Sequence, residues 1–180
     1  MLPFRDHQGH RIPRIVGLLL ALPTVLAFYP PMTDLPGHEA IVGILRHWGD
    51  EAYFPRHLYE LNLGHTNQLF HVTSWLLSLV VGTRWSVKIV IAAAQLAIFD
   101  AGARLARHLG RPQWTASLLA PLALGFAYYW GFVANLLGYA ALLYTLPLMD
   151  RATREPSVSR AAAASGALVV LFLAHGSVFI

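Results

Sequence analysis

Cysteine is absent from this chain, and charged residues are scarce. Without cysteine the chain has no disulfide framework, no thiolate metal site and no cysteine nucleophile, so any metal ligand must be His, Asp or Glu. Charged residues make up only 12% of the 180 residues, hydrophobic residues make up 56%, and the mean hydropathy is +0.52. These values lie outside the usual range of a soluble domain, and they indicate an integral membrane protein.

Lysine is also scarce, because the formal net charge of +4 comes from twelve arginines and one lysine. The basic residues lie mostly between hydrophobic runs rather than in a block that could follow a phosphate backbone. Nucleic-acid binding is therefore not expected. Contact with the anionic headgroups of membrane lipid is enough to explain the basic composition.

Six apolar runs predict an all-α fold, a polytopic transmembrane helical bundle with about six membrane helices. A secretory signal would also place a basic flank before the first run, but this run ends in Phe28-Tyr29-Pro30-Pro31, which favours a retained helix. The last run reaches Ile180 without a polar stop, so we expect residues 1–180 to be a single transmembrane domain that is truncated at its carboxy terminus. The runs are 15–29, 69–81, 87–103, 114–129, 132–149 and 161–180.

The long hydrophilic segment of the chain, residues 32–67, predicts an external loop with one or two short amphipathic surface helices. Over residues 39–48 the apolar side chains fall on one helical face and the polar ones on the other. A second short helix is expected over residues 55–63, with Pro55 in its first turn and Gly64 at its end. The apolar face of the first helix holds Ile41, Ile44, Leu45 and Trp48, and its polar face holds Glu39, Arg46 and His47.

The orientation in the membrane is less clear than the spans. Arginines ahead of the first run predict a cytoplasmic amino terminus and an external loop 32–67. With six spans, however, the arginines of residues 104–111 and 151–160 would also fall outside, against the positive-inside rule. Either one of the middle runs is not a full span, or the first helix dominates the orientation. Near the end of the third run, Asp100 and Arg104 are four residues apart, so we expect them to pair.

Asp34 is the sharpest candidate for chemistry in the loop. A carboxylate at the membrane surface can act as a general base or hold a divalent cation against a lipid phosphate. The alternative is that Asp34 begins or caps the surface helix. His38 and Glu39 are candidate substrate-binding residues, and Glu39 is the nearest second acid for a metal. Arg56 and His57 could grip a phosphate, unless they only lie beside lipid headgroups.

The order of these segments, together with five short motifs, resembles the amino-terminal part of the bacterial GT-C superfamily of polytopic membrane glycosyltransferases. The resemblance covers nearly all of the chain. The motifs are TDLPGH at 33–38, YFPRHLY at 53–59, VGTRWSVK at 81–88, ARLARHLGR at 103–111 and GFVANLLG at 131–138.

The resemblance implies a glycosyltransferase of the bacterial inner membrane that uses a polyprenyl-phosphate-linked sugar donor on the external face. It implies Asp34 as the catalytic base, or as a ligand of Mg or Mn together with Glu39. Arg56 or His57 would then stabilise the phosphate that leaves. The alternative is a non-catalytic membrane protein, a transporter or an assembly subunit, in which Asn135 and His175 line a path.

Overall fold

The computed structural model describes Gly9 and residues 11–176, and this part of the chain is helical without a β-strand, which confirms the all-α prediction. Arg5 and the last four residues of the run 161–180 lie outside the described residues. The α-helices are α1 (Arg11–Leu26), α2 (Leu35–Arg46), α3 (Leu69–Val81), α4 (Thr83–His108), α5 (Ala120–Leu124), α6 (Phe126–Trp130), α7 (Val133–Arg154) and α8 (Val158–Ala174). Two 3₁₀ helices cover Arg56–Leu58 and Gln113–Leu119.

One end of the helix bundle is held together by two carboxylates. Asp100, near the end of α4, accepts hydrogen bonds from Arg14 of α1 at 3.0 Å and from Arg104 at 2.7 Å, which confirms the predicted pair. Asp150, near the end of α7, lies 2.7 Å from His108, the last residue of α4. The beginning of α1 therefore meets the ends of α4 and α7, and we call this the basic end.

The opposite end of the bundle, which we call the loop end, contains the segment 27–68. The Lys88 ammonium, in the first turns of α4, donates to the carbonyl oxygen of Ala27, which follows α1, at 2.7 Å. The amide of Thr33 donates to the carbonyl of Tyr129 in α6 at 3.0 Å. Helices α1 and α4 are therefore antiparallel, and the segment 113–130 also runs from the basic end to the loop end.

Helix α3 begins and ends at the loop end. Just before it, the Asn67 side chain accepts a hydrogen bond from the amide of Gly176, which follows α8, at 3.3 Å. Gly82 ends α3 and directly precedes α4, and Arg84 in the first turn of α4 donates to the Tyr29 hydroxyl at 2.8 Å. With 13 residues, α3 is about 20 Å long and does not run between the two ends.

This course of the chain places the charged residues of the described part unequally. The loop end has one more acidic than basic residue, whereas arginines outnumber acids by eight to three at the basic end. With six spans, the arginines of residues 104–111 and 151–160 would fall outside the cell. In the structure they lie at the same end of the bundle as Arg14. The residues of the basic end are Arg11, Arg14, Arg104, Arg107, Arg111, Arg151, Arg154, Arg160, Asp100, Asp150 and Glu155.

Two helices in the described part are long and apolar enough to cross a membrane, α4 with 26 residues and α7 with 22. Helix length and apolar composition thus identify two candidate membrane helices in the described part, not the expected six or so. Helices α3 and α8 are apolar but shorter. The run 114–129 is not one helix, because Pro121 and Gly125 interrupt it and a side chain at Gly125 would collide with the carbonyl of Pro121.

The loop also differs from its prediction in one element. The second surface helix, expected over 55–63, is only the 3₁₀ turn Arg56–Leu58, because Tyr59 is already extended at φ −132° and ψ 137°. Residues 59–63 continue without regular structure. The first surface helix is present as α2, although it begins at Leu35, four residues earlier than predicted.

A buried polar network joins three elements inside the apolar core. Thr24 of α1, Gln95 of α4 and Tyr128 of α6 are all fully buried. The Thr24 hydroxyl donates to Gln95 Oε1 at 2.9 Å and lies 3.2 Å from the Tyr128 hydroxyl. Gln95 Nε2 donates to the carbonyl of Ala123 at 3.0 Å. Because buried polar groups need partners, this network favours one arrangement of α1 and α4 against the segment 113–130.

Candidate functional site

The beginning of α2 is fixed to the turn between α6 and α7. The amides of Thr33 and Asp34 donate to the carbonyls of Tyr129 and Trp130 at 3.0 and 3.1 Å. These carbonyls end α6, where no further helical amide is available to them. Gly131 makes the turn at φ +82°, and a Cβ there would lie 2.8 Å from the Asp34 amide nitrogen. The backbone of Asp34 is therefore held in place by the hairpin between α6 and α7.

The Asp34 side chain is exposed, and it makes no capping hydrogen bond with α2. The helix begins with Pro36 in its first turn, which needs no amide partner. The carboxylate lies close enough to His38, one turn along α2, for its charge to act on that imidazole. Asp34 thus has a fixed backbone and a free carboxylate beside a histidine.

His38 bridges α2 to two other elements. Its Nε2 lies 2.9 Å from the carbonyl oxygen of Gly131, and its Nδ1 lies 2.9 Å from Nε2 of His71 in α3. A carbonyl can only accept, so Nε2 of His38 carries a hydrogen. In neutral His38 the Nδ1 atom is then an acceptor that faces Nε2 of His71. The contact with Gly131 therefore fixes the tautomer of neutral His38.

Burial lowers the pKa of His38 below its ordinary value of 6.5, because it disfavours the imidazolium. The hydrogen bond to Gly131 and the charge on Asp34 act in the opposite direction and are smaller effects. His38 is therefore neutral at pH 7, which agrees with its role as both donor and acceptor.

Glu39 is half-buried in the first turns of α2. It lies five residues beyond Asp34, and its Oε1 atom is buried without a hydrogen-bond partner in the described part of the chain. Among the described residues, no group of three or more His, Asp or Glu side chains is arranged to hold a metal ion. The Mg or Mn site at Asp34 and Glu39 stays a prediction.

Arg56 and His57 lie at the other end of α2 from Asp34. The guanidinium of Arg56 packs on Gly49, just beyond α2, and pairs with Glu51 at 3.7 Å. His57 is exposed. The 12 residues of α2 span about 18 Å. The expected mechanism needs Arg56 and Asp34 at one site, and the structure does not bring them together.

The face of α2 that packs on the bundle is mixed, since it holds Leu35 and Val42 as well as His38 and Arg46. Leu35 and Val42 are buried, and Arg46 donates to the carbonyl of Ser78 in α3. His38 and Arg46 both have hydrogen-bond partners on neighbouring elements, whereas Oε1 of Glu39 has none among the described residues. The apolar face is left to form one wall of a groove.

This groove has a volume of about 270 Å³ and lies between α2, the segment 59–63 and the first turns of α3. Gln68 holds the segment in place, since its Oε1 accepts from the Gly64 amide at 2.7 Å and its Nε2 donates to the Asn62 carbonyl. His71 lines the groove and also contacts His38. The apolar lining is Ile41, Ile44, Leu45, Trp48, Leu61, Leu63 and Val72.

Sequence reasoning missed His71, Gln68 and Gly131 as parts of this site. His71 is 33 residues from His38, and Gly131 is 93 residues from it. The one sequence signal was that His38 and His71 each lie in the first turns of a predicted or observed helix, and this signal does not extend to Gln68 or Gly131. No family model matches the chain significantly, and neither does any curated protein or solved structure.

Proposed function

We propose that the chain is part of a polytopic membrane protein in which five segments cross the bilayer. They are α1, α4, the segment 113–130, α7 and α8, all of which connect the two ends of the bundle. The positive-inside rule then assigns the basic end to the cytoplasm and the loop end to the external face. In this arrangement α2 and α3 form an external platform, and Asp34 faces the exterior of a bacterial inner membrane.

We further propose that the platform catalyses sugar transfer from a polyprenyl-phosphate donor. The supporting observation is the contact of His71 with both the apolar groove and His38, because it joins a cavity for a lipid chain to the surroundings of Asp34. An acid beside an apolar groove at a membrane surface suits a substrate with an isoprenoid chain and a polar head.

In the proposed reaction an acceptor hydroxyl attacks the anomeric carbon of the donor sugar. A new carbon–oxygen bond forms as the bond between that carbon and the phosphate oxygen breaks, and polyprenyl phosphate leaves with the electron pair. Asp34 takes the proton of the hydroxyl. His38 positions the beginning of α2, and no step is derived through a metal ion or through Arg56.

Asp34→Asn tests this function in membranes that contain the full chain, with radiolabelled polyprenyl-phosphate hexoses and pentoses as donors. We expect transfer to fall about 100-fold or more, because general bases contribute on that order. Asp50→Asn is the matched control, since Asp50 is a loop carboxylate beyond the far end of α2 and should leave transfer unchanged.

Normal transfer by Asp34→Asn would contradict the role of Asp34. If no donor in the panel is consumed by the unsubstituted chain either, the proposal of sugar transfer fails. The alternative, a transporter or assembly subunit, would then be favoured. His175 has a buried Nδ1 atom without a hydrogen-bond partner in the described residues, which is the observation that supports this alternative.

A further inference from the structure

The basic end contains a cleft between α4 and α7 that the proposed reaction does not use. Its volume is about 590 Å³. Both charged and apolar side chains line it, so the cleft is amphipathic. Its lining consists of Arg104, Arg107, His108, Tyr144, Arg151, Pro147 and Leu148.

Two of the arginines in this cleft have no acidic partner in the described part of the chain. Asp100 binds Arg104 and the Tyr144 hydroxyl, and it also binds Arg14 of α1. No described carboxylate lies within ion-pair distance of Arg107 or Arg151, and both side chains are exposed. Two exposed guanidinium groups without a carboxylate partner among the described residues therefore line one cavity from two helices.

The other acids of this region are also occupied. Asp150 binds His108 and Arg154, each at 2.7 Å, and Glu155 pairs with Arg160 at 2.7 Å. The charge of Arg107 and Arg151 is thus not balanced by a neighbour. A guanidinium presents a planar fork of donors that matches phosphate oxygens, and two such forks in one cleft make a phosphate site.

A second cavity, of about 650 Å³, adjoins this cleft at His108. Its walls include Leu105, Leu109 and Leu146, beside the ion pair of Asp150 and Arg154, so it adds an apolar wall of leucines to the arginines of the cleft. A free phosphate or a nucleotide would fill only the arginine side. A phospholipid would fill both, with its phosphate beside the arginines and an acyl chain along the leucines.

We propose that this arginine cleft binds the phosphate of an anionic phospholipid headgroup in the cytoplasmic leaflet. The proposal rests on the membrane placement described above, but it does not depend on sugar transfer. The lipid would be retained as a specific ligand between α4 and α7, in addition to the general attraction between basic residues and an anionic membrane surface.

The test is a lipid titration of the purified full chain in neutral detergent, followed by native mass spectrometry. Phosphatidylglycerol is the probe, and phosphatidylcholine is the zwitterionic comparison. We expect the double variant R107Q/R151Q to bind phosphatidylglycerol about tenfold or more weakly than the unsubstituted chain, because two charge-assisted contacts are removed.

The double variant R11Q/R111Q is the matched control. It removes the same charge from the same end of the bundle, but Arg11 and Arg111 line neither of the two cavities. We expect its affinity for phosphatidylglycerol to stay within about twofold of the unsubstituted chain. If either double variant fails to fold, as judged by thermal unfolding, the corresponding single variants replace it.

Three results would overturn the proposal. Equal losses in the two double variants would show diffuse surface attraction rather than a site. Equal binding of phosphatidylglycerol and phosphatidylcholine would show that the arginines do not select the lipid. Displacement of phosphatidylglycerol by millimolar inorganic phosphate, without any effect of the acyl chains, would identify a soluble phosphate as the ligand.

Discussion

Nδ1 of His38 lies 2.9 Å from Nε2 of His71, and this contact connects the helix that begins at Asp34 with the apolar groove. The other ring nitrogen of His38 is held by the Gly131 carbonyl at 2.9 Å. One imidazole thus joins α2, α3 and the turn before α7. We expect the position of Asp34 to depend on the protonation of this ring.

The stability of the chain should depend on pH through His38. Because its pKa is lower in the folded state than its ordinary value of 6.5, the unfolded state binds more protons. The stability associated with neutral His38 is present above pH 6.5 and is lost as the pH falls from 6.5 towards the lower folded-state pKa. Thermal unfolding in detergent between pH 8 and pH 5 measures this loss.

His38→Gln is the comparison for that measurement, since an amide can donate to the Gly131 carbonyl but does not titrate. We expect the unfolding temperature of this variant to fall less on acidification than that of the unsubstituted chain. Burial, and after it the charge of His38, lowers the pKa of His71 to about 4, so the difference reports the contacting pair His38 and His71. A difference that stays constant across this pH range would contradict the role of the ring.

Gly131→Ala should destabilise the chain and displace Asp34. The glycine has a φ of +82°, and the added Cβ would lie 2.8 Å from the Asp34 amide nitrogen, which is backbone and cannot move alone. We expect a cost of about 1–3 kcal/mol in the free energy of unfolding. Chemical denaturation in detergent measures it.

Gly43→Ala is the control for that substitution. Gly43 is inside α2, and nothing lies within 4 Å of its hypothetical Cβ. Alanine favours a helix over glycine by about 0.5–1 kcal/mol, so this variant should be slightly more stable than the unsubstituted chain. Similar losses in both variants would argue against the close approach of Gly131 to Asp34.

Gln95→Leu should destabilise the bundle core, because it leaves the Ala123 carbonyl without its buried donor, whereas the Thr24 hydroxyl keeps its contact with Tyr128. A polar atom that stays buried and unsatisfied costs about 1–3 kcal/mol. Thermal unfolding in detergent compares this variant with the unsubstituted chain.

Tyr128→Phe and Tyr129→Phe provide a matched pair for the same network. Tyr128 is fully buried, and its hydroxyl lies 3.2 Å from the Thr24 hydroxyl, whereas the Tyr129 ring is half exposed. We expect a loss of about 1 kcal/mol for Tyr128→Phe and almost none for Tyr129→Phe. The reverse order would mean that the network does not stabilise the core.

Local patterns predicted much of the fold. The helix over 69–81 ends as predicted, because Gly82 at φ +81° stops it, and the run 87–103 lies inside α4. The Asp100–Arg104 pair followed from helical spacing alone. The break at Gly125 was not predicted, because average hydrophobicity over 114–129 does not register the conflict between Pro121 and a continuous helix.

The candidate site was predicted only in part, for a physical reason. Asp34 is identifiable from its place after the first helix, but its neighbours come from distant parts of the chain. The amphipathic pattern of α2 shows that one face is apolar, yet it does not tell whether that face meets lipid or a protein groove. The conflict in the arginine pattern left two explanations open, and the proposed topology adopts the one in which a middle run does not cross the membrane.

The side of the membrane on which each end of α3 lies tests the central claim most directly. Because the chain lacks cysteine, single cysteines at Leu63, Thr83, Leu109 and Val158 give a clean readout with a membrane-impermeant maleimide. We predict labelling of Leu63→Cys and Thr83→Cys in intact cells, and labelling of Leu109→Cys and Val158→Cys only after permeabilisation. Labelling of positions 63 and 83 from opposite sides would show that α3 crosses the membrane, and it would contradict the account.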